Sequence, residues 1–484
     1  MIFNVINFNS IWYQNLAISF FLIKKIDFYS SNAFTLHVII IINKMIDDIT
    51  FDHLIMKPEE VDMVIYHGNC NDGFGSAFSA YMFFSENFPN KKIDYYPASL
   101  YQKPPDVKGR NVVICDFSYK YNVLQQMIGE ANKLIILDHH KSAMEDLKNI
   151  PDCNKVFRMD HSGAYITWRY FHFDKPIPKL ILYIEDRDIW TKKMYMTDEF
   201  STYLFTVEHS FYEYKKLLDE TNMTNAITLE GTAMMKQNTH NINSAIEFGA
   251  PKFIQIGDKY YFVAYLNSSV LKSDVGNKIF SKFINTNFSA IYSIDDWTNS
   301  TMFSLRSLDD RTDVSQIATK FDGGGHKCAS GLRLSYVTST LPGTTFDNGR
   351  LYNEIDKLYF DDIEIDPTNK YKVVYLNSSH CKSELAKYLL QQRNETMQEA
   401  VSIYKNKTNN LITEHVYISA IWHYDGLENK TLYAIHLHPK MDVDKRNFIE
   451  KNLESEIKND MIFVTYDGFQ KNISFMKKPL MTVQ

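Results

Sequence analysis

The stretch Leu134-Ile135-Ile136-Leu137-Asp138-His139-His140 joins four large apolar residues to an aspartate and two histidines. A short apolar run bounded by polar residues is typical of a strand that is buried on both faces, as in a parallel sheet. In an open parallel sheet, ligands bind at the carboxyl ends of the strands. The stretch therefore predicts an α/β domain with a chemically active sheet edge.

Three other segments also combine a short apolar run with carboxylates or imidazoles at its end. Because the carboxyl ends of parallel strands meet at one edge, we expect the polar side chains of all four segments to lie together. The other segments are Val64-Ile65-Tyr66 before His67, Cys70 and Asp72; Val112-Val113-Ile114-Cys115 before Asp116; and residues 180–184 before Glu185, Asp186, Arg187 and Asp188.

These polar residues have the composition of a dinuclear hydrolytic metal centre. Such a centre needs carboxylate oxygens, one or two neutral imidazoles, and one carboxylate that bridges the two ions. Oxygen and nitrogen ligands without committed thiolates favour Mn²⁺ or Mg²⁺ over structural zinc. The candidate ligands are Asp72, Asp116, His139, His140 and the pair Asp186 and Asp188.

The composition limits the classes of function. With 484 residues, 45% of them hydrophobic, the chain can bury several cores. A formal net charge of −6 argues against a broad basic surface that wraps duplex nucleic acid, so a polyanionic substrate must be held at a local site. The 5 cysteines form no Cys-x-x-Cys pair, which argues against a zinc ribbon or a disulfide scaffold and favours a reducing, cytoplasmic location.

The first part of the chain differs from the rest. Its apolar runs, residues 11–23 and 38–42, are shorter than the roughly 18–20 residues that a membrane span needs. We expect residues 1–60 to be a dispensable extension, with a membrane or targeting anchor as the alternative, and we expect no membrane partner.

Four further segments follow this extension. We predict an α/β catalytic domain over residues 61–210, a helical connector over 211–250, and a smaller α/β substrate-binding domain over 251–340 that carries a glycine-rich run. Residues 365–484 are predicted to be a degenerate duplicate of the substrate-binding domain.

The duplication is visible in the sequence itself. Arg306 in the first copy corresponds to His436 in the second, and no glycine-rich run follows the second copy, so we expect a structural module there. This duplicate is expected to form a homodimer interface, to cover the cleft between the catalytic and substrate-binding domains, or to bind a partner. The matched segments are Val263-Ala264-Tyr265-Leu266-Asn267-Ser268-Ser269 with Val373-Val374-Tyr375-Leu376-Asn377-Ser378-Ser379, and Phe288-Ser289-Ala290-Ile291-Tyr292 with Ile418-Ser419-Ala420-Ile421-Trp422.

Five motifs in a fixed order resemble those of a DHH phosphoesterase with its DHH-associated C-terminal domain. The resemblance covers about residues 62–336, well over half of the chain. The motifs are His67-x-x-Cys70-x-Asp72-Gly73, the isolated Asp116, Asp138-His139-His140, Asp186-Arg187-Asp188 and Gly323-Gly324-Gly325-His326.

The resemblance implies a role for each matching residue. It implies that Asp116 bridges two ions, that Asp72, His139 and Asp186 complete one metal site, and that His67 contributes to the other. Asp138 is implied to orient the imidazoles, and His140 to face the scissile phosphate or the leaving group. Arg306, His326 and the backbone of Gly323, Gly324 and Gly325 are implied to hold the substrate's phosphate or nucleotide.

Two positions depart from the family pattern or leave a choice. Cys70 stands where many members have an aspartate ligand, and a thiol is a softer ligand that is usually protonated near pH 7. One of the two metal sites is therefore expected to be weak, to take a different metal, or to fill only with substrate. Asp186 and Asp188 both fit the fourth motif; we favour Asp186 as the ligand and Asp188 as an outer partner or alternate ligand.

The resemblance implies a metal-dependent phosphodiesterase, with two Mn²⁺ or Mg²⁺ ions. We identify no added module of basic and aromatic residues along a channel, which favours short oligonucleotides, single-stranded ends or cyclic dinucleotides as substrates. The alternatives are a phosphatase of nucleoside bisphosphates or polyphosphate, and an inactive nucleotide-binding or scaffold protein.

Overall fold

The computed structural model divides the chain into two compact units, Met1–Leu54 and Ile55–Gln484. Most of the predicted extension lies outside the described residues. All elements below belong to the second unit. The structure describes residues 49–68, 70–99, 102–173, 175–347, 349–355, 357–366, 369–391, 401–405, 411–415, 418–425, 427–439, 441, 443–452, 456–458 and 460–467.

The first domain is built on a five-stranded sheet in the order β2-β1-β3-β4-β5, in which every pair of neighbouring strands is parallel. This is the parallel α/β sheet that the apolar runs predict. The strands are β1 (Met63–His67), β2 (Asp94–Ala98), β3 (Asn111–Cys115), β4 (Lys133–Asp138) and β5 (Lys155–Phe157), and the helices are α1 (Asn71–Asn87), α2 (Tyr121–Glu130), α3 (Lys141–Asp146), α4 (Gly163–His172), α5 (Lys179–Asp188) and α6 (Thr197–Leu204).

The central strands are continuously apolar because both faces of the sheet are covered. On one face, Ile65, Ile114 and Ile136 share a core with Leu124 and Met127 of α2. Helices α1 and α4 pack against the strands as well and against each other. The sheet thus holds the ends of β1, β3 and β4 at one edge of a rigid layer.

The apolar run at residues 180–184 is a helix and not a strand, which corrects the sequence interpretation. It forms half of α5, with Pro178 as the residue that precedes the first turn of the helix. Leu180, Ile181 and Ile184 are buried together, at the spacing of one helix face. A run of five apolar residues fits a strand and a buried helix equally well, so periodicity alone could not separate the two.

The segment after α6 is helical, as predicted for the connector. A π-helical turn, Ala226–Gly231, leads directly into its longest helix. The helices are α7 (Phe211–Lys216), α8 (Glu220–Asn225) and α9 (Thr232–Ile246).

A second, seven-stranded sheet follows in the order β10-β11-β9-β8-β7-β6-β12. Strands β7 and β8 are parallel and their neighbours are antiparallel. Strand β12 pairs with β6 although it lies beyond residue 340. The elements are β6 (Ala250–Ile256), β7 (Lys259–Asn267), α10 (Lys272–Lys278), β8 (Phe288–Asp295), β9 (Ser300–Arg306), α11 (Val314–Thr319), β10 (Gly324–Gly325), β11 (Ala329–Leu334), β12 (Thr344–Asp347) and α12 (Tyr352–Ile355).

A third sheet of six strands has the order β13-β14-β17-β18-β20-β19, and β15 and β16 form a separate hairpin. The domain boundaries themselves stay a prediction. The elements are β13 (Tyr359–Asp366), β14 (Asn369–Asn377), α13 (Lys382–Leu390), β15 (Val401–Lys405), β16 (Leu411–His415), β17 (Ile418–Asp425), β18 (Lys430–Leu437), α14 (Val443–Asn452), β19 (Glu456–Lys458) and β20 (Met461–Asp467).

The second and third sheets pair their matched strands in the same register. Val263 lies opposite Phe288, and the corresponding Val373 lies opposite Ile418. Further along the chain, Arg306 pairs with Ser289 as His436 pairs with Ser419. Both copies also place a left-handed residue before their helix, at Leu271 and Cys381.

The two copies share one apolar core. Corresponding side chains from both sheets and from helices α10 and α13 are buried in it together, so the two modules face each other across the core. The corresponding pairs are Ala264 and Val374, Leu266 and Leu376, Val275 and Leu385, Ile279 and Leu389, and Ile291 and Ile421.

Candidate metal centre

Two strand ends and two helices bring three carboxylates to one buried imidazole, His139. Its Nε2 lies 3.1 Å from Asp116 Oδ1, 3.4 Å from Asp188 Oδ2 and 3.6 Å from Asp72 Oδ2. These residues come from four separate segments of the sequence. The structure therefore brings them together within reach of a single ion.

Asp116 faces two groups of potential ligands. Its Oδ1 lies beside His139, while its Oδ2 lies 3.6 Å from His67 Nδ1, in a group that also contains Cys70. Its backbone is left-handed, with φ of 52°, and a Cβ on Gly163 would lie 2.3 Å from the Asp116 Cβ. Asp116 thus faces both groups at once, and only a glycine fits against it.

Asp72 is fixed by the beginning of α4. The backbone N–H groups of Gly163 and Ala164 donate to its two carboxylate oxygens, at 2.7 and 2.9 Å. The N-terminus of a helix favours a negative charge and supplies unpaired N–H donors. The helix therefore holds the carboxylate against His139.

Asp138 orients His140. Its Oδ1 accepts from Nδ1 of that ring at 2.8 Å and from the backbone N–H of His139 at 2.7 Å, and Ser118 donates its hydroxyl to Oδ2. The expectation that Asp138 orients both imidazoles is therefore corrected. The ring of His139 has no such contact, and its Nδ1 is without a hydrogen-bond partner among the described residues.

Asp186 lies outside this cluster, which corrects the choice made from sequence. The hydroxyl groups of Thr191 and Thr197 and the backbone N–H groups of Lys193 and Met194 all donate to its carboxylate. Those bonds close the loop between α5 and α6. Asp188, two residues later on α5, instead presents its carboxylate to His139.

The glycine-rich run, which belongs to the second sheet, lies against the Asp-His-His motif of the first domain. The His326 ring lies 4.6 Å from the His139 ring and stacks on His140 at 4.7 Å, measured between centroids. The Gly325 N–H donates to the Ser142 hydroxyl at 2.8 Å, and a Cβ on Gly324 would meet that same oxygen at 2.6 Å. Gly323 is enclosed by the backbone of β11, where a Cβ would lie 2.2 Å from the Gly331 carbonyl oxygen.

Arg306 stands at the end of β9 and faces α10. It donates to the Ser273 hydroxyl at 2.6 Å, and its Cγ lies 2.8 Å from where a Cβ on Gly276 would be. Burial, together with the nearby Arg187, lowers the pKa of Arg306 to about 10, with Asp188 among its charged neighbours. The guanidinium therefore stays cationic at neutral pH beside the carboxylate cluster.

Two ion pairs that were not predicted from sequence also join helices of the first domain to helical segments beside the second sheet. Lys141 Nζ lies 2.5 Å from Asp313 Oδ2, and Arg187 Nη2 lies 2.7 Å from Asp274 Oδ1. The sequence signal for these residues is that they neighbour the motifs. Lys141 follows the two histidines, and Arg187 lies between the two aspartates of the fourth motif.

Burial and charged neighbours shift the pKa values of the cluster in opposite directions. Burial alone would raise the pKa of Asp116, but contacts with His139 and His67 outweigh it and hold this pKa well below its usual range. Burial alone would lower the pKa of His139, but Asp116 and the other carboxylates raise it well above the ordinary value. Burial and the nearby Asp116 carboxylate raise the pKa of Asp72 and of Asp188.

These features fit bound divalent cations. Three buried or half-buried carboxylates cannot all be ionised together without compensating positive charge, which a cation supplies. Asp116 Oδ2 is buried and accepts no hydrogen bond within the described part of the chain. Asp116 belongs to two groups of potential ligands, and within each group one ligand atom per residue lies within 4.8 Å of the others; the groups are Asp72, Asp116 and His139, and His67, Cys70 and Asp116.

A viral relative matches much of this chain. The uncharacterized protein R106 of Acanthamoeba polyphaga mimivirus is 39% identical over 306 residues, which are 61% of this chain and 72% of that protein. This chain belongs to the R106 family. No protein-family model matches the chain.

Solved structures with a similar arrangement share little sequence with this R106-family chain. The pGpG-specific phosphodiesterase PggH from Vibrio cholerae is 13% identical, with a TM-score of 0.32, covering 56% of this chain and 92% of its own. An exopolyphosphatase-related protein from Bacteroides fragilis is 15% identical, with a TM-score of 0.36, covering 59% and 89%. RecJ from Thermus thermophilus in complex with Mn²⁺ is 11% identical, with a TM-score of 0.33, covering 74% and 68%.

At these TM-scores, the assignment of a DHH-type fold rests on the sheet order and the motif positions of the chain itself. The parallel sheet carries three of the five motifs to one centre, helix α5 adds Asp188 of the fourth, and the glycine-rich motif meets that centre from the second sheet. The resemblance to the DHH family is thereby confirmed at the level of the fold. Among the described residues, no helix combines the length and apolar character that crossing a membrane requires.

Proposed function

We propose that the protein is a metal-dependent phosphodiesterase that hydrolyses short oligonucleotides, single-stranded nucleic acid ends or cyclic dinucleotides. One observation carries the proposal: the carboxylate of Asp116 presents each of its oxygens to a different group of ligands. Such a shared carboxylate is the part of a dinuclear hydrolytic centre that isolated acidic clusters lack. In this proposal Asp188, and not the sequence-predicted Asp186, is the ligand of the site around His139.

Two Mn²⁺ or Mg²⁺ ions at this centre would activate a water for attack and neutralise negative charge on the phosphoryl oxygens. Carboxylate and imidazole ligands suit both metals, and Cys70 makes one of the two sites different from the other. The residues that would hold the ions are Asp72, Asp116, His139 and Asp188 on one side, and His67, Cys70 and Asp116 on the other.

Two histidines would act on the substrate itself. Asp138 holds Nδ1 of His140, so Nε2 is the ring atom that can give a proton to the leaving oxygen. Burial, with His140 and His139 nearby, lowers the pKa of His326 to about 2, so this ring is neutral and donates one N–H to a phosphate oxygen. Arg306 would bind the same phosphate through its planar pair of donors.

Gly324 and Gly325 lie against Ser142, so the first domain and the second sheet are in direct contact beside the metal centre. The net charge of −6 gives no general attraction for long nucleic acid. Both considerations favour short substrates over long duplexes.

The test is a panel of labelled di- to decanucleotides and cyclic dinucleotides, incubated with the full chain and Mn²⁺ or Mg²⁺. Release of mononucleotides from the short members supports the proposal, whereas release of free phosphate alone supports a phosphatase. Metal binding without any turnover supports an inactive nucleotide-binding protein.

The variant Asp116→Asn tests the shared carboxylate, and the exposed Asp106→Asn serves as its control. Asparagine tolerates the left-handed backbone, so the fold is retained. We expect the rate to fall by at least about a hundredfold in Asp116→Asn, since loss of even one stabilising group has effects on that scale, and to be unchanged in the control. Equal rates in both variants would remove Asp116 from the mechanism.

A further inference from the structure

One of the two ligand groups that share Asp116 contains a thiol. His67 ends strand β1, Cys70 immediately precedes helix α1, and Asp116 follows strand β3. One ligand atom from each lies within 4.8 Å of the other two. The three side chains thus bring sulfur, nitrogen and oxygen to one point.

Close packing holds the thiol near His67. A Cβ on Gly73 would lie 2.1 Å from the His67 carbonyl oxygen, so the first turn of α1 approaches the end of β1 as closely as a backbone can. Cys70, three residues before Gly73, is half-buried at this junction. Cys70 thus lies where the end of the strand and the beginning of the helix meet.

An unsatisfied carboxylate oxygen points to a ligand at this position. Asp116 Oδ2 is buried, and no hydrogen bond reaches it from the described residues, although His67 Nδ1 lies at 3.6 Å. Buried carboxylate oxygens normally have a partner, and an ion is one of the explanations for an apparent exception. A cation between the three side chains would satisfy this oxygen.

The two ligand groups differ in chemical softness. Asp72, Asp116 and Asp188 surround His139 with oxygen atoms, which suit Mn²⁺ and Mg²⁺. A thiolate and an imidazole with a single carboxylate instead suit Zn²⁺, which accepts sulfur and nitrogen readily. One centre therefore offers two sites of different preference.

We propose that His67, Cys70 and Asp116 form a thiolate-containing site for Zn²⁺, next to a site for Mn²⁺ or Mg²⁺ formed by Asp72, Asp116, His139 and Asp188. This inference rests on the metal centre of the proposed function and names the metal of one of its sites. When the sulfur–zinc bond forms, the thiol proton passes to solvent, and no electron is transferred.

The test uses Co²⁺ as a spectroscopic probe for the zinc site in the full chain, freed of metal with a chelator. Cobalt bound by a thiolate absorbs in the near ultraviolet by sulfur-to-metal charge transfer. We expect this band in the unaltered chain and in Cys153→Ser, a control at another half-buried cysteine, and we expect its loss in Cys70→Ser. Cobalt binding without the band, or a band that survives in Cys70→Ser, would overturn the assignment.

A competition experiment measures the preference directly. The chain is equilibrated with equal concentrations of Zn²⁺ and Mn²⁺, and the bound metals are counted after gel filtration. We expect Cys70→Asp to lower the ratio of bound zinc to bound manganese by about tenfold or more, since changes near a ligand alter affinity on that scale. An unchanged ratio would contradict the proposal, and retained manganese in both proteins verifies that the variant is folded.

The two proposals can fail separately. A charge-transfer band without any hydrolysis of the substrate panel leaves the thiolate site in place and refutes the phosphodiesterase. Hydrolysis with Mn²⁺ in a chain that shows no band refutes the thiolate site alone.

Discussion

Asp116 meets several demands at once. Its Oδ1 lies 3.1 Å from His139 Nε2, its Oδ2 faces His67, and its backbone is left-handed. A non-glycine residue in such a conformation costs of order 1–3 kcal/mol. The surrounding structure, including the close approach of Gly163, maintains this conformation, which the residue would not adopt by preference.

Arg306 belongs to substrate binding in the proposed function, and replacing it separates binding from chemistry. We expect Arg306→Ala to raise KM by about tenfold to a hundredfold, because a hydrogen bond to a charged group contributes roughly 1.5–3 kcal/mol. The turnover number should change much less. Steady-state kinetics on the best dinucleotide of the panel provide the measurement.

The matched control is Arg333→Ala, on neighbouring strand β11, whose guanidinium contacts Ser300 and Thr298 instead. This variant should keep the KM of the unaltered chain. A KM that stays constant in Arg306→Ala would show that the guanidinium does not bind the substrate.

His172 makes the stability of the first domain depend on pH. Its Nε2–H donates to the Ser79 carbonyl oxygen at 2.9 Å, its ring stacks on Trp168, and burial lowers its pKa. Below the unfolded value of about 6.5, the unfolded chain takes up a proton that the folded chain does not. The contribution of His172 to the free energy of unfolding is therefore fully present above that pH. It decreases as the pH falls, by at most about 1.4 kcal/mol per pH unit.

The variant His172→Gln keeps an amide donor for Ser79 but does not titrate. We expect the difference in unfolding free energy between pH 7.5 and pH 5.5 to be smaller in this variant, by urea titration followed by circular dichroism. The exposed His380→Gln should retain the full difference. An equal pH dependence in all three proteins would rule out His172 as a contributor.

Helix α5 places two aspartates in different environments only two residues apart. Asp186 holds the loop that follows the helix, and Asp188 faces His139. We expect Asp186→Asn to lower the free energy of unfolding by about 1–3 kcal/mol, because an amide cannot accept from all four donors. Asp188→Asn should instead weaken Mn²⁺ binding with little change in stability.

Calorimetric titration with Mn²⁺ and urea denaturation of the metal-free chain distinguish the two effects. Each variant serves as the control for the other. The assignment would be reversed if Asp186→Asn lost the metal while Asp188→Asn lost stability.

The elements of the first domain show what local sequence can predict. The runs that became β3 and β4 are bounded by polar residues and buried on both faces, so their strand character is visible in the sequence. The run at residues 180–184 has the same appearance but forms α5. Its conformation is decided by packing against the other helices of the domain, which composition does not encode.

The same limit applies within the site. The motif order correctly predicts that Asp72, Asp116 and His139 lie close together, because these residues follow strands whose ends meet at one edge of the sheet. It is insufficient to choose between Asp186 and Asp188, since the direction in which each side chain leaves α5 depends on the helix that the sequence did not predict. The contacts of Ser142 and Asp313 across the cleft depend on how two sheets meet, which no local pattern contains.

At the scale of the whole molecule, the second and third sheets are stabilised through one core. Ile279 and Leu389 occupy corresponding positions in the two copies and are fully buried in it. We expect Leu389→Ala to lower the free energy of unfolding by about 2–5 kcal/mol, the usual effect of removing a buried leucine side chain. Ile279→Ala should have an effect of similar size, although it lies in the other copy.

Urea denaturation followed by circular dichroism measures both changes. Leu427, a fully exposed leucine in the second copy, provides the control, and Leu427→Ala should change stability by no more than about 0.5 kcal/mol. If Leu389→Ala behaved like Leu427→Ala, the shared core would not stabilise the fold.

Two hydrogen bonds connect the second copy to the second sheet. The Gln391 side chain accepts from the backbone N–H of Tyr260 at 2.7 Å and donates to the carbonyl of the same residue at 2.8 Å. Because one polypeptide joins the two copies, they meet at an effective concentration that dilution of the protein does not change. A chain ending before residue 365 would present the apolar side of Ala264, Leu266 and Ile279 to water. Burial of this apolar side is therefore a step within one molecule, and protein concentration does not limit it.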